Sequence, residues 1–385
     1  MTVKKICMIT TVSLTMKAFV VEMAKHLHNH SGYDVTLICD NDDEFAASLP
    51  EYLHYIPVSM SRGMSLSGFI STFKLYRVLR KEKFDLVQYS TPNASCYASI
   101  AAFFAHVPIR LYAQWGIRYI QLSGMSKRIF KMIEKMVCRL STLVRSQSPK
   151  NMQLAIDEGL CSKDKIAVIG IGGTIGVDLN ECDKIDKKKT KKELRERYAI
   201  PNDAVVYGFV GRINRDKGIG EYIFAFEKLR EKYDNICLAL VGDIDQNNPI
   251  DQAAMQIAQE DERIFLTGGV PAHEVYAHMA MMDILVHPTY REGFGKVIQE
   301  AMGMELPIIT TNIPGPSEVI ENNISGILVN VKDSDDLAQK MELLLTDEAL
   351  RDSFAKGGRA RAEKYFDRPI MLDNLAREMK MILKE

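Results

Sequence analysis

The 385-residue chain has no apolar run long enough to cross a bilayer, no Cys-x-x-Cys pair and almost no net charge. Its longest mostly apolar stretch, Cys96 to Ala105, is broken by Ser99. That is well short of the roughly 20 residues a spanning helix needs, so a buried helix is expected there. The seven cysteines, at 7, 39, 96, 138, 161, 182 and 237, are odd in number and widely scattered. This disfavours zinc and disulfide frameworks and points to reduced thiols in a cytosolic protein. Met1 to Ile6 runs straight into a strand-like stretch, so no signal peptide is expected. With 49 Lys and Arg against 50 Asp and Glu, and no nucleic-acid motif, no nucleic-acid partner is expected. A composition 46% hydrophobic and 26% charged excludes a disordered chain, a collagen-like repeat and a small disulfide scaffold.

At roughly 150 residues per domain the length suggests two domains. The charge divides accordingly: residues 1–160 carry 19 Lys and Arg against 12 Asp and Glu, and the remainder is acidic. In the first half, strand signals at Ile6–Thr10, Tyr33–Cys39, Phe84–Tyr89, Ile109–Ala113 and Ile166–Ile169 are interleaved with helical stretches. Those helices are expected at Phe19–His30, Leu66–Glu82, Ala94–Phe104 and Lys127–Leu140. The second half repeats the alternation, with strands at Val205–Val210, Ile236–Val241, Ile264–Leu266, Ile284–His287, Pro307–Thr310 and Gly326–Val329. Short apolar strands between helices predict an α/β chain of two doubly wound parallel-sheet domains, residues 1–180 and 181–366. The almost entirely charged Asp183–Lys192 stretch is the best linker candidate. In such sheets ligands sit beyond the carboxyl ends of the strands.

Two loops at those ends carry the chemistry. The first is His287-Pro-Thr-Tyr-Arg-Glu-Gly-Phe-Gly-Lys-Val-Ile-Gln-Glu300, a strand end, a glycine turn and a helix start. Glu292 lies in the turn, and Glu300 lies roughly 7 Å along the helix at about 1.5 Å per residue. Two carboxylates so placed can hold two parts of one extended ligand, whereas bare spacing of two Glu is common on any helix. Backbone N–H groups around Phe294 and Gly295 face the positive end of that helix, which suits a phosphate. The second loop is Val210-Gly-Arg-Ile-Asn-Arg-Asp-Lys-Gly218. Gly211 permits close backbone approach, and Arg212 and Lys217 are two cations able to neutralise a diphosphate, or else a solvated basic loop. Three features carry less. Asp243-Ile-Asp245 has the form of a metal-bridging D-x-D but follows a Rossmann-type strand. The glycine run Gly170–Gly176 does not fit G-x-G-x-x-G. His26, His28 and His30 fall at a helix end, where a solvated, dipole-favoured position is expected.

The G-R-x(4)-K-G loop and the Glu292-Gly-Phe-Gly-x(4)-Glu300 element resemble retaining glycosyltransferases of family 4, as does Pro307–Gly315. The resemblance implies a GT-B fold, two Rossmann-like domains facing a cleft, with a C-terminal helix (residues 367–385) returning to the first domain. It implies that Arg212 and Lys217 contact the donor diphosphate, Glu292 the donor sugar and Glu300 the ribose. Gly268 and Val270, in the Thr267–Val270 turn, would lie by the base, and no metal or other cofactor is needed. In the first domain, residues 87–94 and 112–118 and the turn ending at Asp178 resemble bacterial transferases that build O-antigens, capsules and other lipid-linked glycans. Two departures stand out. The loop Thr10–Thr15 replaces a Gly-Gly pair, and Trp115-Gly116 replaces a His-Gly pair, leaving Gln114, Trp115 or no residue in the histidine's role.

Residues 118–150 hold eight basic side chains and one acid, Glu134, interleaved with apolar residues. Either the apolar face packs on the sheet beneath solvated charges, or the polar face meets an anionic membrane. The implied activity is transfer of a hexose or N-acetylhexosamine from a UDP-sugar to a polyprenyl-diphosphate-linked glycan. It would occur in the cytoplasm, peripheral to the inner face of the cell membrane. A UDP-sugar epimerase or hydrolase on the same fold, and a non-catalytic nucleotide-sugar-binding protein, are the alternatives.

Overall fold

The computed structural model describes residues 3–60 and 66–384, so Met1 and Thr2 of the N-terminal stretch lie outside it. The chain forms two compact units, Met1–Ile175 with Pro369–Glu385, and Gly176–Arg368. The first unit holds a seven-stranded, all-parallel sheet in the order β3-β2-β1-β4-β5-β6-β7. Its strands are β1 (Lys5–Ile9), β2 (Asp34–Cys39), β3 (Leu53–Pro57), β4 (Leu86–Tyr89), β5 (Ile109–Gln114), β6 (Leu143–Ser146) and β7 (Ile166–Val168). Side-chain alternation sends Ile6 and Met8 into one core and Cys7 and Ile9 into the other. On the Cys7 face the Pro92–Phe104 helix packs between the Leu66–Glu82 and Gly124–Leu140 helices. On the Ile6 face lie the Ser13–Phe19 and Val21–Ser31 helices and the last helix, Arg368–Leu383, whose Leu372, Leu375, Met379 and Leu383 share a core with Met8 and Leu37.

β6 escapes a hydrophobicity reading because it contains Arg145. That residue is 7% exposed, donates to Gln88 Oε1 at 3.0 Å and ion-pairs with Glu378 of the last helix. It therefore leaves the surface patch counted over residues 118–150. The Cys96–Ala105 run is buried only in part: Phe103 and Phe104, at its end, are exposed. Five of the seven cysteines are buried, and all seven are free thiols.

The second unit is a six-stranded parallel sheet in the order β10-β9-β8-β11-β12-β13. Its strands are β8 (Val205–Val210), β9 (Ile236–Val241), β10 (Ile264–Gly268), β11 (Ile284–His287), β12 (Ile308–Thr311) and β13 (Ile327–Val329). The expected linker at Asp183–Lys192 is instead helix. Leu179–Asp183 and Lys187–Arg197 are helical, and the chain leaves the first unit at Ile175. Asp178 and Asp186 cap the two helices through the N–H groups of Glu181 and Lys189, and lysine–glutamate pairs one turn apart support the second. Leu194 and Arg195 bury the inner face of that helix. Val177 and Asp367 pair as a short bridge where the chain enters and leaves this unit, and Arg368 reaches Asp178 at 2.9 Å.

Candidate active site

In the second sheet the strand order reverses between β8 and β11, and the two motif loops follow those two strands. Ligands bind at such a reversal because the flanking helices diverge there. The two loops are joined backbone to backbone. The Asp216 carbonyl accepts from the Tyr290 N–H at 2.8 Å and the Thr289 hydroxyl at 3.2 Å. Asp216 and Arg291 form an ion pair at 2.7 Å. Gly218 has φ +68°, and a Cβ there would stand 2.1 Å from the Pro288 carbonyl oxygen. Only glycine lets these loops approach so closely.

At their junction stand Lys217, Glu292 and His287. Lys217 and Glu292 form an ion pair, and His287 Nε2 lies 3.5 Å from the same carboxylate oxygen. His287 is 1% exposed and stacks on Phe209, ring centroids 5.8 Å apart. Burial alone would raise the Glu292 carboxyl. The Lys217 charge and the His287 ring outweigh that and hold it well below the usual carboxylate range. Glu292 is therefore an anion at neutral pH, suited to accept sugar hydroxyls and unsuited to donate a proton. Arg212 is largely exposed and is tethered by Asp245 at 3.1 Å. Asp245 also accepts from Asn214 at 3.2 Å and from the Asn247 N–H.

Glu300 sits in the Lys296–Gly303 helix, 13% exposed and 3.0 Å from Lys296. Gly295, at φ +101°, opens that helix without a side-chain cap. Phe294 is 3% exposed and packs edge-on against Phe366, so its side chain anchors the turn while its backbone stays with the loop. At the end of β10, the Gly268 carbonyl accepts from Gly242 at 2.9 Å, and the Gly269 N–H donates to Asp243 at 2.9 Å. Gly211 in turn donates to the Val241 carbonyl, so the β8, β9 and β10 loops form one backbone platform, with Val270 half-buried at its end. Both aspartates of the D-x-D are thus engaged with protein groups. Among the described residues no three His, Cys, Asp or Glu side chains stand together as a metal site would need.

In the first unit Gln114 and Trp115 point to opposite sheet faces. Gln114 is 1% exposed and donates to Glu134 Oε1 at 2.8 Å. Trp115 packs on Phe19, centroids 5.2 Å apart, against the core on the other side. Motif and spacing alone assign no role to His287 or to Glu134. The five-residue step from His287 to Glu292 was the available signal for one, and the lone acid in a basic helix for the other. Of the histidine trio, His26 is not solvated: it stacks on His30 and lies 3.2 Å from Asp373.

A pH consequence arises at His287. Burial pushes its imidazole below the ordinary value against the pull of Glu292. An unfolded histidine titrates near about pH 6.5. The unfolded chain therefore takes up a proton that the folded site refuses, and stability falls as pH falls through that window. One such proton contributes at most about 1.4 kcal/mol per pH unit. His26, also lowered by burial, adds its share. Thermal unfolding of a His287→Gln variant from about pH 7.5 to pH 5.5 should fall less steeply than the parent's; equal slopes contradict this account.

Residues 190–361 match the family described as "Glycosyl transferases group 1", and residues 5–148 the family described as "Glycosyl transferase 4-like". The capsular polysaccharide biosynthesis glycosyltransferase CapM of Staphylococcus aureus is 33% identical over 91% of this chain and 91% of its own length. The N,N'-diacetylbacillosaminyl-diphospho-undecaprenol alpha-1,3-N-acetylgalactosaminyltransferase of Campylobacter jejuni is 25% identical over 86% and 87%. The structure of Anabaena Alr3699/HepE in complex with UDP-glucose superposes with a TM-score of 0.79 at 21% identity, covering 98% of this chain and 99% of that one. The expected GT-B architecture of two parallel-sheet, Rossmann-like units is present. By these matches over nearly its whole length, the chain belongs to the group 1, family 4-like glycosyltransferases.

Proposed function

We propose that this glycosyltransferase moves a hexose or N-acetylhexosamine from a UDP-sugar, with retention, to a glycan on a polyprenyl diphosphate in surface-polysaccharide synthesis. The observation that carries this reading is the Lys217–Glu292 ion pair at the sheet reversal of the second unit, with Arg212 on the same loop as Lys217. Arg212 and Lys217 take the donor diphosphate, Glu292 the sugar hydroxyls and Glu300 the ribose. As the bond from the anomeric carbon to the phosphate oxygen breaks, charge collects on the leaving diphosphate. Donors already aimed there are each worth a few kcal/mol. The acceptor oxygen bonds to the same face of the anomeric carbon, and its proton passes to the departing phosphate oxygen. The two cations serve in place of a metal, since Asp243 and Asp245 hold the loops instead. The name of the Campylobacter relative supports the acceptor class, and that of the Staphylococcus relative supports surface-polysaccharide synthesis.

The acceptor's lipid places the reaction at the cytoplasmic face of a membrane. No helix among the described residues is long and apolar enough to cross one. The Gly124–Leu140 helix exposes Lys127, Arg128, Lys135 and Arg139 beside Met125 and Met132, and Phe69 and Phe73 are exposed in the same helical layer. Each basic group contributes on the order of 1 kcal/mol near an anionic surface. The test is UDP release from a panel of UDP-hexoses with and without sugar-diphosphate-undecaprenol acceptors. Release dependent on acceptor, and unaffected by EDTA, is expected. Rapid release or isomerisation without acceptor would replace this reading with the hydrolase or epimerase, and binding without turnover with a non-catalytic role.

A further inference from the structure

A cavity of about 40 Å³ in the first unit lies beyond the carboxyl ends of β4 and β5, one strand from where the strand order reverses. Its walls include Tyr97, Tyr112, Arg118, Tyr119, Phe130 and Glu134. Glu134 is the unusual member. It is nine-tenths buried, yet among the described residues it has no ion-pair partner, although its helix is otherwise basic. A buried carboxylate without a cation is costly, and a glutamine would fill the same space at less cost. Its Oε1 accepts from the Tyr112 hydroxyl and the Gln114 amide, both at 2.8 Å. Its Oε2 has no protein donor among the described residues. Gln114 Oε1, also buried, has none either. The cavity thus presents one acceptor that lacks a donor, Glu134 Oε2, within walls that are largely aromatic and aliphatic.

We propose that this cavity is an acceptor subsite that takes the acetamido group of an N-acetylated sugar. Glu134 Oε2 accepts the amide N–H, and the aromatic walls take the methyl. The volume has room for about three water-sized groups, close to an acetyl carbonyl and methyl with the nitrogen at the mouth. A phosphate would meet the Glu134 charge, and a bare hydroxyl would leave the apolar walls unfilled. The inference rests on the proposed transferase reading, because the sugar carrying this group is the acceptor.

The experiment uses the full chain with methyl N-acetyl-α-glucosaminide or methyl α-glucoside, read by saturation-transfer NMR, with UDP in the same sample as a donor-side probe. Expected is strong transfer to the acetyl methyl and affinity for the plain glucoside about tenfold weaker. Glu134→Gln keeps the shape and the acceptor for Tyr112 and Gln114, but turns the Oε2 position into a donor. It should weaken acetamido binding about tenfold, leave UDP binding unchanged and leave the midpoint of thermal unfolding the same or higher. Tyr112→Phe, which spares Oε2, should keep the preference. Absence of transfer to the acetyl methyl, equal binding of the two glycosides, or undiminished binding by Glu134→Gln overturns the proposal. Loss of the UDP signal alone counts against the transferase reading and not against this pocket.

Discussion

Turnover by a Lys217→Ala variant is expected to fall by about 10²- to 10³-fold, with the fold intact. Two effects add. The leaving diphosphate loses a cation positioned before reaction begins, and Glu292 loses the partner that balances its charge. An uncovered carboxylate at that point repels the incoming donor, so KM for the UDP-sugar should rise as kcat falls. The double variant Lys217→Met/Glu292→Gln removes both charges and keeps the packing. It should regain donor affinity relative to Lys217→Ala while kcat stays low. This split separates electrostatic stabilisation of the leaving group from simple loss of a contact. Initial rates of UDP release over a donor titration measure it. A kcat within about threefold of the parent would remove Lys217 from the leaving-group role, since a positioned donor is worth far more than that. Glu292→Gln alone should also lose activity, because an amide cannot match a carboxylate as acceptor from sugar hydroxyls.

The second large effect is on folding. Arg195→Ala should destabilise the second unit by about 3–5 kcal/mol. The guanidinium is 1% exposed and spends its donors on the carbonyls of Met281, Pro201, Asn202 and Ala204 and on Asp283 at 2.7 Å. Its loss leaves four carbonyls and a carboxylate each short of a donor. At roughly 2–4 °C per kcal/mol for a unit of this size, the midpoint of thermal unfolding should drop by about 10 °C. Lys191 approaches the same aspartate from a position about one-third exposed to solvent. Lys191→Ala should therefore cost under about 1 kcal/mol. Similar losses in the two variants would show that burial is not what makes Arg195 matter.

Arg195 also shows where a sequence reading stops. It follows a run of lysines that has the composition of a linker, and one turn of helix is enough to carry a charged side chain from solvent into the interior. Nothing in composition marks which arginine turns inward. Only the Met281 carbonyl and the Asp283 carboxylate, distant in sequence, decide that. Arg145 makes the same point in β6, a strand concealed by its charge until Gln88 and Glu378 are seen around it. β3 escaped notice for the opposite reason. It is an edge strand with a half-exposed face, so its apolar pattern is faint.

The strongly apolar strands, the alternation that makes both sheets parallel, and the two glycine-turn loops of the second unit follow from local sequence. Burial of a strand on both faces demands continuous apolar residues, and a loop that approaches another backbone demands glycine. These features also mark the family, because they are contiguous in the chain. What only the tertiary structure decides is pairing between distant residues. Lys217 and Glu292 are 75 positions apart and meet because β8 and β11 are neighbours in the sheet. Glu134 meets Tyr112 and Gln114 because its helix covers β5. The charges are written in the sequence. Which of them neutralise one another, and which are left for a ligand, depends on distances that exist only after the sheets form.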